Sequence, residues 1–292
     1  MKYGFIKEQA KDFSITVMCD VLGVSRSGYY CWLIKIPSKR ELANQELDAK
    51  IKVIYLQNHK RYGSPRITKE LKAQGEECSH TRVTRRMKGM NIKAIAKRKF
   101  KVTTDSEHSK PVFENVLNRD FNTTGINQKW ASDITYIKTD EGWMYLAVII
   151  DLYSRAVIGW SMDKRMKKSL VCGAIMMALF RRNFPSDVIV HSDRGSQYCS
   201  NQYRNILKKY DLIGSMSRKG NCWDNAIAES FFHTLKVELV HEHNYQTREN
   251  AKLSVFQYIE SYYNKRRMHS SLDYSTPYAV ECACFNEKVG VC

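Results

Sequence analysis

Three acidic side chains stand out by their surroundings: Asp133 in QKWASDITYIKT, Asp193 in DVIVHSDRGSQY and Glu229 in DNAIAESFFHTLKVE. A lone Asp is ordinarily a turn or cap residue. Three acids gathered at one point make something different, a site for hard cations. Oxygen ligands suit Mg²⁺, with Mn²⁺ as a substitute, and such ions complete their shells with water and substrate phosphates. Two ions about 3.5–4 Å apart can activate a water or a 3′-hydroxyl and stabilise the leaving oxygen of an in-line phosphoryl displacement. As a purely structural feature, the same anionic cluster would only repel itself.

The elements that must position these acids can be read from periodicity. Around Glu229, Ile227, Ala228, Phe231, Phe232, Leu235 and Leu239 recur at steps of three and four, an apolar helical stripe. Asp224 or Asn225 is its expected N-cap. Asn225, Glu229, His233 and Lys236 share one edge of that helix. Upstream, strands are expected over Trp130–Thr139, Trp143–Leu152 and Ala156–Met162, the last two linked through Tyr153-Ser154-Arg155. A helix over Ser169–Phe180, a strand over Val188–His191, a helix over Gln202–Lys209 and a strand over Ile213–Met216 follow. The order predicts an α/β fold, a mixed sheet with helices on its faces. Asp133 then lies on the first strand, Asp193 just past the C-terminal end of the fourth, and Glu229 on a helix packed across them. Of the neighbours, His191 either orients a bound water or is satisfied by backbone, Gly195 permits a tight path beside Asp193, and Trp130 and Trp223 read as core.

The N-terminal third points to a polyanionic partner. The chain of 292 residues carries a net charge of +17, and residues 1–110 hold 24 Lys/Arg against 11 Asp/Glu. Residues 13–33 read as helix, turn, helix, with Gly23 as the stop and Ser25 as the second cap. A helix over about Leu47–Gln57, a second opened by Ser64-Pro65 and a third capped by Ser79 outline a helix-turn-helix reader. The third carries Arg82, Arg85, Arg86 and Lys88, expected to contact phosphates of double-stranded DNA. Arg218 and Lys219, just before the Glu229 helix, are further phosphate-contact candidates, and Asn225 either contacts DNA or caps its helix. Lys93–Lys110 reads as a basic linker.

The composition excludes other classes. The apolar run Trp143–Ile150 is far shorter than the roughly 20 residues of a spanning helix, and the start of the chain lacks a signal-peptide pattern, so a cytoplasmic, nucleoid-associated protein is expected. Nine scattered cysteines fit reduced thiols. His241-x-His243 and Cys282-x-Cys284 match no standard zinc finger.

WASDIT, HSDRGSQY and DNAIAESFFHTLKVE, with 35 residues between the last two acids, resemble the DDE transposases and retroviral integrases. YNKRRMHSSLDYSTP (263–277) resembles the closing segment of the second-frame transposases of the insertion-sequence family numbered three. The resemblance covers roughly residues 50–280. It implies a ribonuclease-H-like core with a five-stranded mixed sheet, Mg²⁺ dependence, and cutting and joining of element ends through a circular intermediate. It implies that Asp133, Asp193 and Glu229 are the metal-binding catalytic triad and that Lys236 touches DNA near the element terminus. It also implies a homo-oligomer on element-end and target DNA, and a frameshift fusion with an upstream-frame product. The organisation expected is a helical segment over 1–45, a helix-turn-helix region and linker over 46–110, the catalytic core over 120–245, and a helical segment over 246–292 that docks on the core. The competing reading is a non-catalytic DNA-binding product that acts only when fused.

Overall fold

The structure, a computed structural model, describes residues 1–34, 37–95, 111–218 and 222–289. Helices α1 (Lys2–Gln9), α2 (Ile15–Val21) and α3 (Arg26–Leu33) close a small cluster of Ile6, Met18, Cys19 and Tyr29. Gly23 ends α2 at φ +62°, a conformation that favours glycine, and Ser25 Oγ accepts the Gly28 N–H at 3.0 Å to start α3.

The next helix, α4 (Lys39–Gln57), starts well before the expected Leu47 and crosses the boundary drawn at residue 45. The cause is a reciprocal capping box. Ser38 Oγ accepts the Glu41 N–H, and the Glu41 carboxylate accepts the Ser38 N–H at 2.7 Å. Helix α5 (Ser64–Ala73) opens with Pro65 in its first turn, and α6 (His80–Gly89) is capped by Ser79 as its sequence predicts. Leu47, Ile51 and Ile54 of α4 pack on Ile67 and Leu71 of α5 and on Val83 and Met87 of α6. The linker expected over Lys93–Lys110 falls mostly outside the described residues.

Strands β1 (Lys129–Thr139), β2 (Gly142–Asp151), β3 (Val157–Asp163), β4 (Ile189–Ser192) and β5 (Ile213–Met216) form one sheet in the order β3-β2-β1-β4-β5. The first three make the expected antiparallel meander, whereas β4 pairs parallel with β1 and β5 parallel with β4. Helices α7 (Lys168–Arg181) and α8 (Asn201–Lys209) cover one face, burying Val171, Ile175 and Leu207 against Trp130 and Val190. At Gly159 of β3 the Ala174 carbonyl of α7 comes so near that no Cβ fits. The other face is covered by α9 (Ala226–Glu238), α10 (Arg248–Gln257) and a π-helical turn over Tyr258–Tyr263, with Phe231, Leu235, Val255 and Ile259 against Val148 and Ile150. Helix α11 (Pro277–Val289) returns to the sheet edge, where Glu281 pairs with Arg182.

The helical N-terminal module is joined to this core. The Tyr62 hydroxyl donates to the Arg266 carbonyl at 2.9 Å and accepts the Met268 N–H at 3.1 Å, and Met268 packs against the α4–α6 cluster. Among the described residues no helix is long and apolar enough to cross a membrane.

Candidate active site

The register of two parallel strands brings the first two acids together. Ala131 of β1 pairs with His191 of β4, and Asp133 and Asp193 each follow two residues on, Asp193 just past the end of β4. Neighbouring strands lie about 4.8 Å apart. Period two along β1 puts Ala131, Asp133 and Ile137 on one face, and Ala131 and Ile137 belong to the cluster that α9 closes. Both carboxylates are fixed locally. Asp133 Oδ1 accepts the Ile134 N–H at 2.8 Å, and Asp193 Oδ1 accepts the Gly195 N–H at 2.9 Å. A Cβ on residue 195 would stand 3.0 Å from that same Asp193 oxygen, which explains the glycine.

The third acid approaches from α9. Glu229 lies one turn into the helix and remains partly exposed, as do Asp133 and Asp193. Burial first, then the charge of Asp193 and more weakly that of Glu229, holds the Asp133 carboxyl well above the usual carboxylate range, against the Ile134 N–H and Lys236. Burial raises the Glu229 carboxyl too. Asp133 therefore feels the charge of both other acids, whereas for Glu229 burial is the cause of the shift. Among the described residues, however, no three His, Cys, Asp or Glu side chains are drawn into a closed coordination set. Three like charges in a half-buried pocket hold one another off, and a divalent cation is the group whose chemistry fits them.

Lys236 is found inside this pocket rather than on an open edge. It is buried, its ammonium lies 4.7 Å from the Tyr136 ring centroid, and its charge acts on Asp133. Burial lowers its pKa while Asp133 works the other way. Tyr198 is a member of the pocket that the sequence reading did not pick out. Its buried hydroxyl bonds Ser132 Oγ at 2.9 Å, while Ser132 donates to the Val148 carbonyl, and burial followed by Asp133 and Asp193 keeps the phenol protonated. Its place five residues after Asp193 was the available signal.

Asn225 stands at the N-cap of α9, as one of the two expected caps, but it is buried and its side chain makes no cap hydrogen bond. Its Nδ2 donates to the Ser132 carbonyl at 3.1 Å, beside Asp133, and its buried Oδ1 has no partner among the described residues. The preceding residue, Asp224, is a second unforeseen member. Fully buried, it accepts the Arg218 N–H, both Arg218 Nε and Nη2, Arg119 Nε at 2.8 Å and Asn115 Nδ2. Those guanidiniums hold its carboxyl far below the usual range. No spacing in the sequence announces Arg119 as its partner. His191 is also settled by this region. Its ring bonds the Ser215 and Ser217 hydroxyls at 2.9 and 3.1 Å, not a backbone carbonyl, and burial lowers its pKa to about 4.

The basic residues divide. Arg82 bonds Asn44 Oδ1 at 2.9 Å and Arg86 pairs with Asp48, so both tie α6 to α4 instead of standing free, as the crowding on one side of α6 had suggested. Arg85 and Lys88 are exposed. Arg218 is paired with Asp224 but half-exposed; Lys219 lies outside the described residues, as does the Trp223 side chain. Trp130 is wholly buried core.

The sequence matches the integrase core domain family over residues 123–222 and again over 212–277, and the HTH-like domain family over 41–100. It is 50% identical over 272 residues to transposase InsF of insertion sequence IS3A from Escherichia coli K12, a span of 92% of this chain and 94% of that one. The chain belongs to the IS3 family of transposases. A Shigella sonnei protein of insertion element IS600 is 43% identical, over 93% of this chain and 98% of its own. The HTLV-2 integrase catalytic core, solved with magnesium, matches 55% of this chain and 99% of its own at 16% identity and a TM-score of 0.43.

Proposed function

We propose that this transposase cuts the ends of its insertion element and joins them to DNA, with Asp133, Asp193 and Glu229 holding divalent cations. The observation that carries the reading is that Asp133 on β1 and Asp193 just past the end of β4 each follow by two residues the paired Ala131 and His191, with Asp133 sensing both other acids. Mg²⁺, or Mn²⁺ in its place, would supply Lewis-acid stabilisation of the attacking and leaving oxygens. The chain's own part is to fix the ions. Ionised Asp133, Asp193 and Glu229 would ligate, while Lys236 steadies the ionised form of Asp133. In each step the phosphodiester P–O3′ bond breaks as a new P–O bond forms, to water in cleavage and to a 3′-hydroxyl in joining. The nucleophile's proton leaves to solvent, the departing 3′-oxygen takes up a proton from solvent to become a 3′-hydroxyl, and no covalent enzyme intermediate arises.

In this reading the α4–α6 module grips duplex DNA through the exposed Arg85 and Lys88, with Arg218 and Lys219 as further phosphate contacts. Two element ends imply a homo-oligomer on DNA, and a frameshift fusion with an upstream-frame product would add end recognition.

Incubating the purified chain with labelled element-end duplex and Mg²⁺ or Mn²⁺ tests this. Metal-dependent nicking and joining are expected, and Asp133→Asn, Asp193→Asn and Glu229→Gln should each remove both while sparing DNA binding. A variant that joins at a near-normal rate overturns the triad. Duplex binding by the wild-type chain without any nicking would favour a binding product that acts only when fused.

A further inference from the structure

A cavity of about 500 Å³ opens between the start of α5, one side of α9 and the segment 263–274. None of the three acids lines it, although Ser230, next to Glu229 in the chain, does. Its wall carries Arg61, Arg66, Arg155 and Arg267 against a single carboxylate, Glu238. That carboxylate is already engaged. It accepts Arg267 Nε and Nη2 at 3.0 and 2.8 Å and the Tyr258 hydroxyl at 2.8 Å.

Two of the other arginines are part of the wall. Arg61 Nε donates to the Glu238 carbonyl, with its guanidinium 4.4 Å from the Tyr262 centroid, and Arg66 Nε donates to the Met268 carbonyl while its Nη1 lies 4.0 Å from Glu238 Oε1. Arg155 differs. Among the described residues its guanidinium makes no hydrogen bond or ion pair, yet burial lowers its pKa, opposed by Tyr263 and Asp151. It is also presented rigidly. Buried Asp151 accepts the Tyr153 and Ser154 N–H groups, the Arg155 N–H bonds the Asp151 carbonyl at 2.9 Å, and Arg155 sits at φ +61°. His269, in the same wall, has its pKa lowered to about 3 by burial and by Arg267, Arg66 and Arg155, so its ring stays neutral beside the guanidiniums. Helix α5 starts at the rim, at Gly63 and Pro65, with no side chain capping its first turn.

Half-desolvated guanidiniums in excess, in a concave site, call for an anion with several oxygens. The module on one side is the element assigned to DNA above, and α9 on the other carries Glu229. We propose that this cleft holds the phosphodiester backbone of duplex DNA between the helical module and the catalytic core, with Arg155 and Arg66 contacting phosphate oxygens and Arg267 and Arg61 holding the walls. This gives the segment 263–277 a function of its own, and it rests on the reading of the chain as a DNA-handling transposase.

The test is duplex binding by the full chain without divalent metal, measured by fluorescence anisotropy from 50 to 300 mM salt. Arg155→Gln is expected to weaken binding about tenfold and to flatten the slope of log affinity against log salt by about one, with Arg155→Lys recovering most of both. Ser271→Glu, on the exposed rim, adds a carboxylate without touching the core and should weaken binding similarly. Thermal melts separate these effects from unfolding. Unchanged affinity and slope in both Arg155→Gln and Ser271→Glu overturn the cleft, as does a loss seen only for binding of inorganic pyrophosphate. Failure of the wild-type chain to bind any duplex would instead sink the underlying functional reading together with it.

Discussion

Asp133 lies two residues beyond Ala131 on β1, and Asp193 two residues beyond His191, just past the end of β4, where Ala131 and His191 are paired across neighbouring parallel strands. Such a pair is held by the sheet at a cost, because burial and mutual repulsion both oppose ionisation of Asp133. Asp133→Asn keeps the acceptor for the Ile134 N–H and removes the charge. We expect it to abolish strand cleavage while stabilising the fold by about 1 kcal/mol, or roughly 2 °C in Tm. Calorimetry beside the cleavage assay checks it. A variant that melts earlier than wild type would show that the charge is not strained.

Arg85 and Arg86 are adjacent in sequence and opposite in role. Arg86 is bound to Asp48 of α4, whereas Arg85 is exposed. Arg86→Ala should destabilise the α4–α6 module by about 1–2 kcal/mol in denaturant melts. Arg85→Ala should leave stability within about 0.5 kcal/mol and lower the salt slope of DNA binding by about one.

Asp224 clamps Arg218 and Arg119 directly before the helix that carries Glu229. Its carboxyl is held low in the folded state, so its contribution is present above the unfolded pKa near 3.9 and is lost only as pH falls below that. Asp224→Asn should cost about 2 kcal/mol at pH 7, a loss that shrinks toward pH 3, and should slow cleavage by shifting Glu229. Urea melts at the two pH values, with cleavage rates at pH 7, give the readout.

His269 acts with the same sign in a higher pH window. Its folded pKa, lowered to about 3, means the unfolded chain takes up a proton first as pH falls below 6.5. Stability should therefore drop by about 2.5 kcal/mol between pH 7 and pH 4.5 on account of this ring. His269→Gln should lose that much less over the same window, measured by urea unfolding. Parallel pH profiles for the two proteins would refute the assignment.

Strand and helix periods, caps and turn residues are local, so β1 to β5, α7 to α9 and the Ser25 and Ser79 caps could be read directly from the chain. The three acids were legible for the same reason, each sitting in its own short motif. Helix α4 was read too short because its start depends on a reciprocal pair, Ser38 with Glu41, rather than on apolar period.

By itself, then, the sequence determined the strands and the helices of strong apolar period, the basic bias of the N-terminal third, and the acids that could meet. What only the tertiary structure decided was company. Arg82 and Arg86 turned inward to α4, Lys236 entered the acid pocket, Arg119 met Asp224 from far along the chain, and Arg155 was left facing a cleft without an acceptor among the described residues. The physical reason is that burial, and with it the strength of every charge interaction, is set by what packs across an element, and periodicity along the chain carries no record of that.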